Sequence, residues 1–373
     1  VASHGEDAVP ALMGYLGSND IDARANAIIA LTRIGMDAVQ PLAASLTVGN
    51  DMQRRNAAEV LGRIGDHRAI PALLAAAGGE GMPAESAAAA AAKLGGDGDA
   101  AEAYLHLAMG YFHGDSQTLL NYDGTYTVWS VQDGKLTGRD VPQFLFQYEL
   151  AEQACYDALA LDPALAKARS MIAVTSYAEL AAWDALSDEA KGSEALASTK
   201  SALEGSAALA ASAGTADLMA ALTMAIHMKH GDAAMMICDT IADLGDAGDL
   251  AGGNALTAAL TDADKTIRYG AAMALLRLDP AEAFPTSNLV AKTAGDAASE
   301  AAIQQVLVID SDSKNAMNTQ RALNAAGYHA VAAQSGAEGL LVAKATGAFD
   351  AVVVRDTLED ITTFQVLDEL RRD

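Results

Sequence analysis

The sequence contains few cysteines and few aromatic residues. Its two cysteines, Cys155 and Cys238, both lie inside apolar helical patterns, which argues against a disulfide framework or a paired-cysteine redox motif. Aromatic residues make up only 5% of the 373-residue chain, although hydrophobic residues make up 51%, and alanine dominates the apolar set. Because alanine is the best helix former and allows close helix packing, we predict a mainly helical protein.

Basic residues are also scarce. The chain has 24 lysines and arginines against 49 acidic residues, a net charge of −25, and no basic cluster. A surface this acidic repels phosphate backbones and anionic lipids, so we expect neither nucleic acid nor membrane as a partner. We identify no apolar run that could span a bilayer and no signal segment, and therefore predict a cytoplasmic location. The excess charge either maintains solubility or attracts a basic partner.

Four glycines recur at a constant spacing of thirty residues: Gly5, Gly35, Gly65 and Gly95. Other residues keep the same register, namely Arg24 with Arg54, Asn26 with Asn56, Leu31 with Leu61, Arg33 with Arg63, and Pro41 with Pro71. The apolar spacing predicts a helix over Ala23–Ile34 that stops at Gly35, followed by a second helix with Pro41 in its first turn. Neither helix can bury its apolar face alone, so neighbouring units must stack.

This pattern resembles the short bacterial HEAT family, which implies an α-solenoid. We assign HEAT-like repeats to residues 1–98, and an acidic helical bridge with further HEAT-like repeats to residues 179–300. In the later segment the matching offsets fall on Arg268, Leu275, Arg277 and Pro285, and Leu244–Gly245 closes another unit. The register opens at the end of a first helix, just before Gly5, so the array is expected to begin upstream. Residues 183–215 fit either an acidic helix pair or a looser bridge.

Residues 99–178 show a different spacing. The first-helix positions are Tyr104, Leu107, Ala108 and Tyr111, and the second-helix positions are Ala151, Cys155, Ala158 and Pro163. This spacing resembles a TPR unit split by an insertion at about 121–142. Alternation around Trp129, followed by Asp133–Gly134, predicts a β-hairpin in the insertion. The hairpin either packs Trp129 on the solenoid or presents Tyr126 and Trp129 to a partner.

Residues 304–373 alternate short apolar strands with amphipathic helices, which predicts a parallel sheet. The pattern resembles the response-regulator receiver family and implies a partial, flavodoxin-like α/β segment. A whole receiver has two further β-α units, so we expect either that the polypeptide continues or that another chain covers the exposed sheet edge.

In receivers, an acidic pair after the first strand binds Mg²⁺ and an aspartate after the third strand accepts the phosphoryl group. Asp310 matches the first acid, but Ser311 stands at the second, with Asp312 beside it. The acceptor position falls on Arg355, and Asp356 lies one residue late. Arginine cannot accept phosphate; its guanidinium could instead pair with Asp310 or Asp312. The resemblance thus implies a pseudo-receiver used for docking, and the alternative is phosphorylation of Asp356.

Taken together, these patterns predict a protein-binding scaffold or adaptor related to signalling. No catalytic constellation, cofactor site or metal site is identified, so we do not expect an enzyme. The alternatives are a phosphorelay regulator, an enzyme of the HEAT-like bilin lyase kind, and a structural subunit of a large assembly. The protein partner and the oligomeric state do not follow from the sequence.

Overall fold

The structure, a computed structural model, describes residues 8–115, 126–301, 305–346 and 349–372. Gly5 of the predicted register, residues 121–125 of the predicted insertion, and residues 304 and 373 lie outside the described residues. The chain divides into two units, Val1–Ala233 and Ala234–Asp373. The boundary falls inside the predicted 179–300 segment.

Six helices run through the thirty-residue register: α1 (Val9–Tyr15), α2 (Ile21–Ile34), α3 (Val39–Ser45), α4 (Asp51–Ile64), α5 (Ile70–Ala77) and α6 (Gly81–Lys93). Alternate helices pack on one another, with α2 on α4, α4 on α6, α1 on α3 and α3 on α5. Their inward leucines, among them Leu31 and Leu61, are fully buried in a single core. The predicted stacking of neighbouring units is therefore present.

The ends of these helices follow from local chemistry. The Asp20 side chain accepts hydrogen bonds from the backbone of Asp22 and Ala23, so α2 begins two residues before the predicted Ala23. Gly35, Gly65 and Gly95 have φ values of +74°, +87° and +77°. A side chain at such a φ would be strained, so the predicted end of α2 at Gly35 is confirmed, and Gly65 ends α4 in the same register.

Three polar side chains tie consecutive repeats together. Asn56 Nδ2 donates to the carbonyl of Leu16 at 2.7 Å, Arg68 Nη2 to that of Met36 at 3.0 Å, and Lys93 Nζ to that of Gly62 at 2.6 Å. Each acceptor lies in or just beyond the last turn of a helix, where carbonyls lack an intrahelical partner. These bonds thus satisfy helix ends and also hold the register between repeats.

The rest of the first unit contains α7 (Ala100–Phe112), β1 (Thr127–Gln132), β2 (Lys135–Asp140), α8 (Phe146–Leu161), α9 (Ala166–Asp184), α10 (Asp188–Lys191), α11 (Thr199–Ala211) and α12 (Thr215–His227). The strands pair antiparallel around Asp133 and Gly134, whose φ values are both positive, so the predicted hairpin is confirmed. Helix α8 packs between α7 and α9, and α11 and α12 pack on α9. The acidic stretch 183–215 forms α10, a 3₁₀ turn (Glu194–Leu196) and α11 rather than a simple helix pair.

The helical part of the second unit contains most of α13 (Gly231–Leu244), then α14 (Ala255–Ala259), α15 (Lys265–Leu278) and α16 (Ser287–Ala301). Arg268 Nη1 donates to the carbonyl six residues before it, as Arg24 Nη1 does in α2. Asp279 occupies the register position of Gly35 and adopts a left-handed φ of +42°. The Arg268 bond therefore repeats that of Arg24, and Asp279 shares the positive φ of Gly35 but not its ψ.

The C-terminal residues form β3 (Gln305–Ile309), α17 (Ser313–Ala325), β4 (His329–Ala333), α18 (Gly336–Thr346), β5 (Ala351–Val354) and α19 (Thr363–Arg372). The three strands form a parallel sheet in the order β4–β3–β5, with Ile309 opposite both Ala333 and Val354. Leu307, Ile309 and Val366 are buried between the sheet and its helices. The carboxyl ends of β3 and β5 therefore lie side by side.

By length and composition one helical stretch, Ile21–Ser45, is apolar enough to cross a membrane, which corrects the prediction that no such run exists. A second candidate pair, Glu194–Ala211 with Thr215–His227, is bent by 114°. Core helices of soluble proteins meet the same criteria. Ile21–Ser45 contributes Leu31, Val39 and Leu42 to the repeat core and is interrupted by a 3₁₀ turn at Gly35–Ala38.

We predict that Arg68→Ala lowers the free energy of unfolding by about 3–5 kcal/mol, because it leaves a buried carboxylate without its partner. Arg68 Nη2 lies 2.7 Å from Asp66 Oδ2, and the two side chains are 5% and 8% exposed. Chemical denaturation followed by far-ultraviolet circular dichroism measures the change.

The matched control is Arg63→Ala, which breaks an exposed pair with Glu59 whose side chains are 48% and 39% exposed. Exposed pairs contribute at most about 1 kcal/mol. Equal losses in the two variants would show that burial of the Arg68 pair does not matter.

Candidate functional site

A groove of about 450 Å³ in the first unit is bordered by α3, α7, α8 and the hairpin. Four aromatic side chains line it, Tyr104, Tyr111, Trp129 and Tyr156. Polar groups from α3, from the turn after it and from α8 share the wall, among them Gln40, Thr47, Gln153 and Asp157. An apolar concavity with a few placed polar groups is the usual form of a binding site.

The hairpin lies against the repeat helices. Strand β1 packs on α3 and α8, Val128 is buried, and the half-buried Trp129 faces the groove. A Cβ on Gly138 would lie 3.1 Å from the Trp129 ring, so the absence of a side chain there lets the indole cross the paired strand. Tyr126 stacks edge-on against Phe146, with ring centroids 5.4 Å apart. The insertion thus packs on the solenoid and also contributes Trp129 to the groove.

Ionisable side chains that line the groove are desolvated. Arg68 is buried and paired with Asp66; desolvation lowers the pKa of the guanidinium, but the Asp66 hydrogen bond and the surrounding negative charges together raise it. Burial raises the pKa of Tyr111 to about 12. Burial also raises the pKa of Asp157 to about 6, although Gln153 Nε2 donates to its carboxylate at 3.2 Å. The groove therefore offers both hydrogen-bonding groups and an ionisable carboxyl in a weakly hydrated setting.

The predicted receiver residues meet at the carboxyl ends of β3 and β5. The backbone N–H of Arg355 donates to the carbonyl of Ile309, which places Arg355 beside Asp310. Arg355 Nη1 then donates to Asp310 Oδ1 at 2.8 Å. Partial desolvation would raise the pKa of Asp310, but the Asp312 amide and the Arg355 guanidinium together lower it. Of the two acids considered for Arg355, Asp310 is the one it contacts directly.

The other receiver positions make local contacts. The Asp312 carboxylate caps α17 by accepting from the backbone of Lys314 and Asn315, and Ser311 Oγ accepts from the Glu359 backbone. The side chain of Asp356 is exposed, and its carbonyl accepts a hydrogen bond from Thr363 Oγ1. Asp310 and Asp312 therefore both accept hydrogen bonds from protein donors.

Asp360 was not identified from the sequence as a site residue. Its carboxylate accepts from the backbone N–H groups of Ala337 and Gly336, at the start of α18, and these bonds lower its pKa to about 2. The groove as a unit is likewise not predicted, because its walls run from Val39 to Asp157, which are 118 residues apart in the sequence. Part of the signal is present in the sequence, since Tyr104 and Tyr111 belong to the TPR-like first helix and Trp129 to the predicted hairpin.

We predict that ionisation of Asp157 lowers the free energy of unfolding as the pH rises from about 4 to 6. The folded-state pKa of about 6 exceeds the ordinary value of 3.8, so the folded state binds the proton more tightly and loses that advantage on ionisation. Asp157→Asn should therefore be more stable than the wild type at pH 7, by about 1–2 kcal/mol after allowance for partial exposure, and about equal at pH 4.

Urea denaturation of both proteins at several pH values between 4 and 7 gives the difference directly. Asp162→Asn, an exposed acid just beyond the end of the same helix, is the control and should show little change with pH. The raised pKa of Asp157 would be contradicted if the wild type became more stable than Asp157→Asn as the pH rises.

A comparison with protein families places residues 9–95 in the HEAT repeats. The match spans α1 to α6 and confirms the predicted HEAT-like register there. No curated protein and no solved structure matches the chain. The TPR-like and receiver-like resemblances stay predictions, and so do the HEAT-like units after residue 179. What the comparisons support is a HEAT-repeat segment of the kind that commonly mediates contacts between proteins.

Proposed function

We propose that this chain is a protein-interaction scaffold, without catalytic activity of its own, which binds a partner in the groove beside the hairpin. HEAT repeats fit a scaffold of this kind. The observation that carries the proposal is the convergence of Tyr104, Tyr111, Trp129 and Tyr156 on one concave surface. Tyrosine and tryptophan are the residues that most often dominate binding energy at protein interfaces.

The groove also indicates the chemistry of the partner. Its aromatic walls favour an apolar or aromatic side chain, and the Asp157 carboxyl favours a hydrogen-bond donor or a basic group beside it. The net charge of −25 adds long-range attraction for a basic segment and speeds its encounter. A basic peptide segment with an apolar anchor meets all three conditions, and we place this interaction in the cytoplasm.

A second proposed role concerns residues 305–372, as a pseudo-receiver that docks other proteins in a signalling complex. The supporting observation is the contact of Arg355 Nη1 with Asp310 Oδ1 at 2.8 Å. The guanidinium supplies a fixed positive charge beside the acid that would otherwise help hold Mg²⁺. The segment is then held in one electrostatic state without phosphorylation. Phosphotransfer to Asp356 is the rival.

We predict that Thr47→Arg and Trp129→Ala each weaken capture of the partner by at least about tenfold, since one fills the groove and the other removes an anchor. The tagged full chain is used to capture proteins from the source organism, and the recovered protein is quantified by mass spectrometry. Thr47 is exposed at the groove, so its replacement leaves the core intact.

Arg63→Ala is the matched control, because Arg63 is exposed on α4 and does not line the groove. The groove is the binding surface if recovery falls in both groove variants and persists in the control. Unchanged recovery from the groove variants would place the interaction elsewhere.

We predict that the wild-type chain incorporates no phosphoryl group when incubated with Mg²⁺ and a small phosphodonor, because Arg355 replaces the acceptor and engages Asp310. Intact-mass measurement at acid pH, where an acyl phosphate survives, gives the result. Asp356→Asn is the control for background labelling. A base-labile phosphoryl group that is present in the wild type and lost in Asp356→Asn would refute the pseudo-receiver and establish a phosphorelay role.

A further inference from the structure

Three carboxylates meet between α8 and α9, on a different part of α8 from the groove. Glu149 and Glu152 lie one helical turn apart on α8, and Glu179 lies on α9, which packs against it. One carboxylate oxygen from each residue lies within 4.8 Å of the others. Such proximity among like charges is unfavourable unless a positive charge or a proton is shared.

The described residues around the cluster supply too little positive charge to neutralise all three carboxylates. The exposed Arg139 donates to both oxygens of Glu149, at 3.1 Å and 2.6 Å, and so neutralises one carboxylate. Tyr156 Oη donates to Glu152 Oε1 at 3.1 Å but carries no charge. Two of the three carboxylates therefore lack a cationic partner among the residues that the structure describes.

Of the three carboxylates, Glu179 is the one whose burial is least offset by hydrogen bonds or charges. Its side chain is 3% exposed, and its Oε1 atom has no hydrogen-bond partner within the described part of the chain. A buried carboxylate oxygen without a donor is costly, since burial removes its water and nothing replaces it. The orphaned side chain reaches into the cluster, because its carboxylate is one of the three that converge there.

The electrostatics agree with this geometry. Burial, and then the neighbouring Glu152 and Glu149, raise the pKa of Glu179 to about 9, while Arg139 acts in the opposite direction. Burial also raises the pKa of Glu152. Both shifts express the same shortage of positive charge around the three carboxylates.

We propose that Glu149, Glu152 and Glu179 form a binding site for a divalent cation, with Ca²⁺ as the ion that fits best. The donors are all carboxylate oxygens, the ligands preferred by hard cations. Oxygens on opposite sides of Ca²⁺ lie about 4.6–5.2 Å apart, twice the Ca–O distance, so a spread of up to 4.8 Å accommodates the ion. Mg²⁺ requires about 4.0–4.2 Å and a near-octahedral arrangement, which is a stricter demand on two helices.

One ligand of the proposed site, Glu152, borders open space. Glu152 and Tyr156 line a cavity of about 270 Å³ whose walls come from α8, α9, α11 and α12. Ser176 and Ser206 contribute hydroxyl groups to the same cavity. Glu149 and Glu179 do not line this cavity, and Arg169 does. Ca²⁺ takes six to eight oxygen ligands, and water that enters beside Glu152 supplies those that the three glutamates do not. Two charges from Glu152 and Glu179 balance the ion, while Arg139 continues to balance Glu149.

Terbium luminescence tests this site on the full chain. Tb³⁺ occupies Ca²⁺ sites and emits when a nearby aromatic side chain absorbs light, and the Tyr156 phenol lies beside Glu152. The titration is done at about 0.15 M KCl, which screens diffuse attraction to the acidic surface. We expect saturable emission with one ion per chain, displaced by Ca²⁺.

Glu179→Gln should weaken Tb³⁺ and Ca²⁺ binding by at least about tenfold, as loss of a ligand does in other metal sites. The matched control is Glu189→Gln, which removes one exposed acid from α10 and should leave the affinity unchanged. Ca²⁺ should also raise the melting temperature of the wild type and of Glu189→Gln, but not that of Glu179→Gln.

The competing explanation is that Glu179 simply retains a proton and hydrogen-bonds to Glu152. In that case the wild type shows no saturable emission that Ca²⁺ displaces, and the proposal fails. It also fails if Glu179→Gln and Glu189→Gln lower the affinity equally, since this would indicate diffuse binding. Glu149→Gln is the second ligand variant, and circular dichroism in EDTA confirms that each variant is folded before binding is compared.

Discussion

The structure depends on the burial of narrow, alanine-rich helix faces against the neighbouring helix. Alanine lets helices approach closely but buries little area per residue, so each short helix gains too little apolar burial to be stable alone. Stacking adds apolar burial that a single helix lacks, since Leu31 and Leu61 lie in the same core. The bonds of Asn56, Arg68 and Lys93 to neighbouring helix ends add to this, because a buried carbonyl without a donor would weaken the stack.

Much of this array can be predicted from the sequence because its determinants are local and periodic. A glycine needed for positive φ, a proline tolerated in a first turn and leucines at helical spacing are all readable without knowledge of distant contacts. Helix starts are less predictable, since α2 begins where the Asp20 cap allows and not where the apolar pattern starts. The sheet is also predictable, because parallel pairing of β3 with β5 brings Asp310 and Arg355 together once both strands are identified.

The groove and the carboxylate cluster could not be predicted in the same way, because they join different segments of the chain. Trp129 reaches the groove only because its hairpin packs on α3, more than eighty residues earlier in the chain. The carboxylate cluster combines α8 with α9 in a chain where acids are common, so no spacing marks Glu149, Glu152 and Glu179 as different. What distinguishes them is burial, and burial is a property of the packing of α8 against α9.

Burial also distinguishes two groups of acidic residues. Exposed acids such as those of α10 keep their water and serve solubility at little cost, whereas Glu179 and Asp157 are desolvated and carry raised pKa values. Asp157 lies on α8, and Glu179 lies on α9, which packs against α8. One side of α8 lines the groove, and another side contributes to the carboxylate cluster. Tyr156 belongs to both, since its ring lines the groove and its hydroxyl donates to Glu152. Any change that moves Glu152 therefore acts on Tyr156, and through it on the wall of the groove.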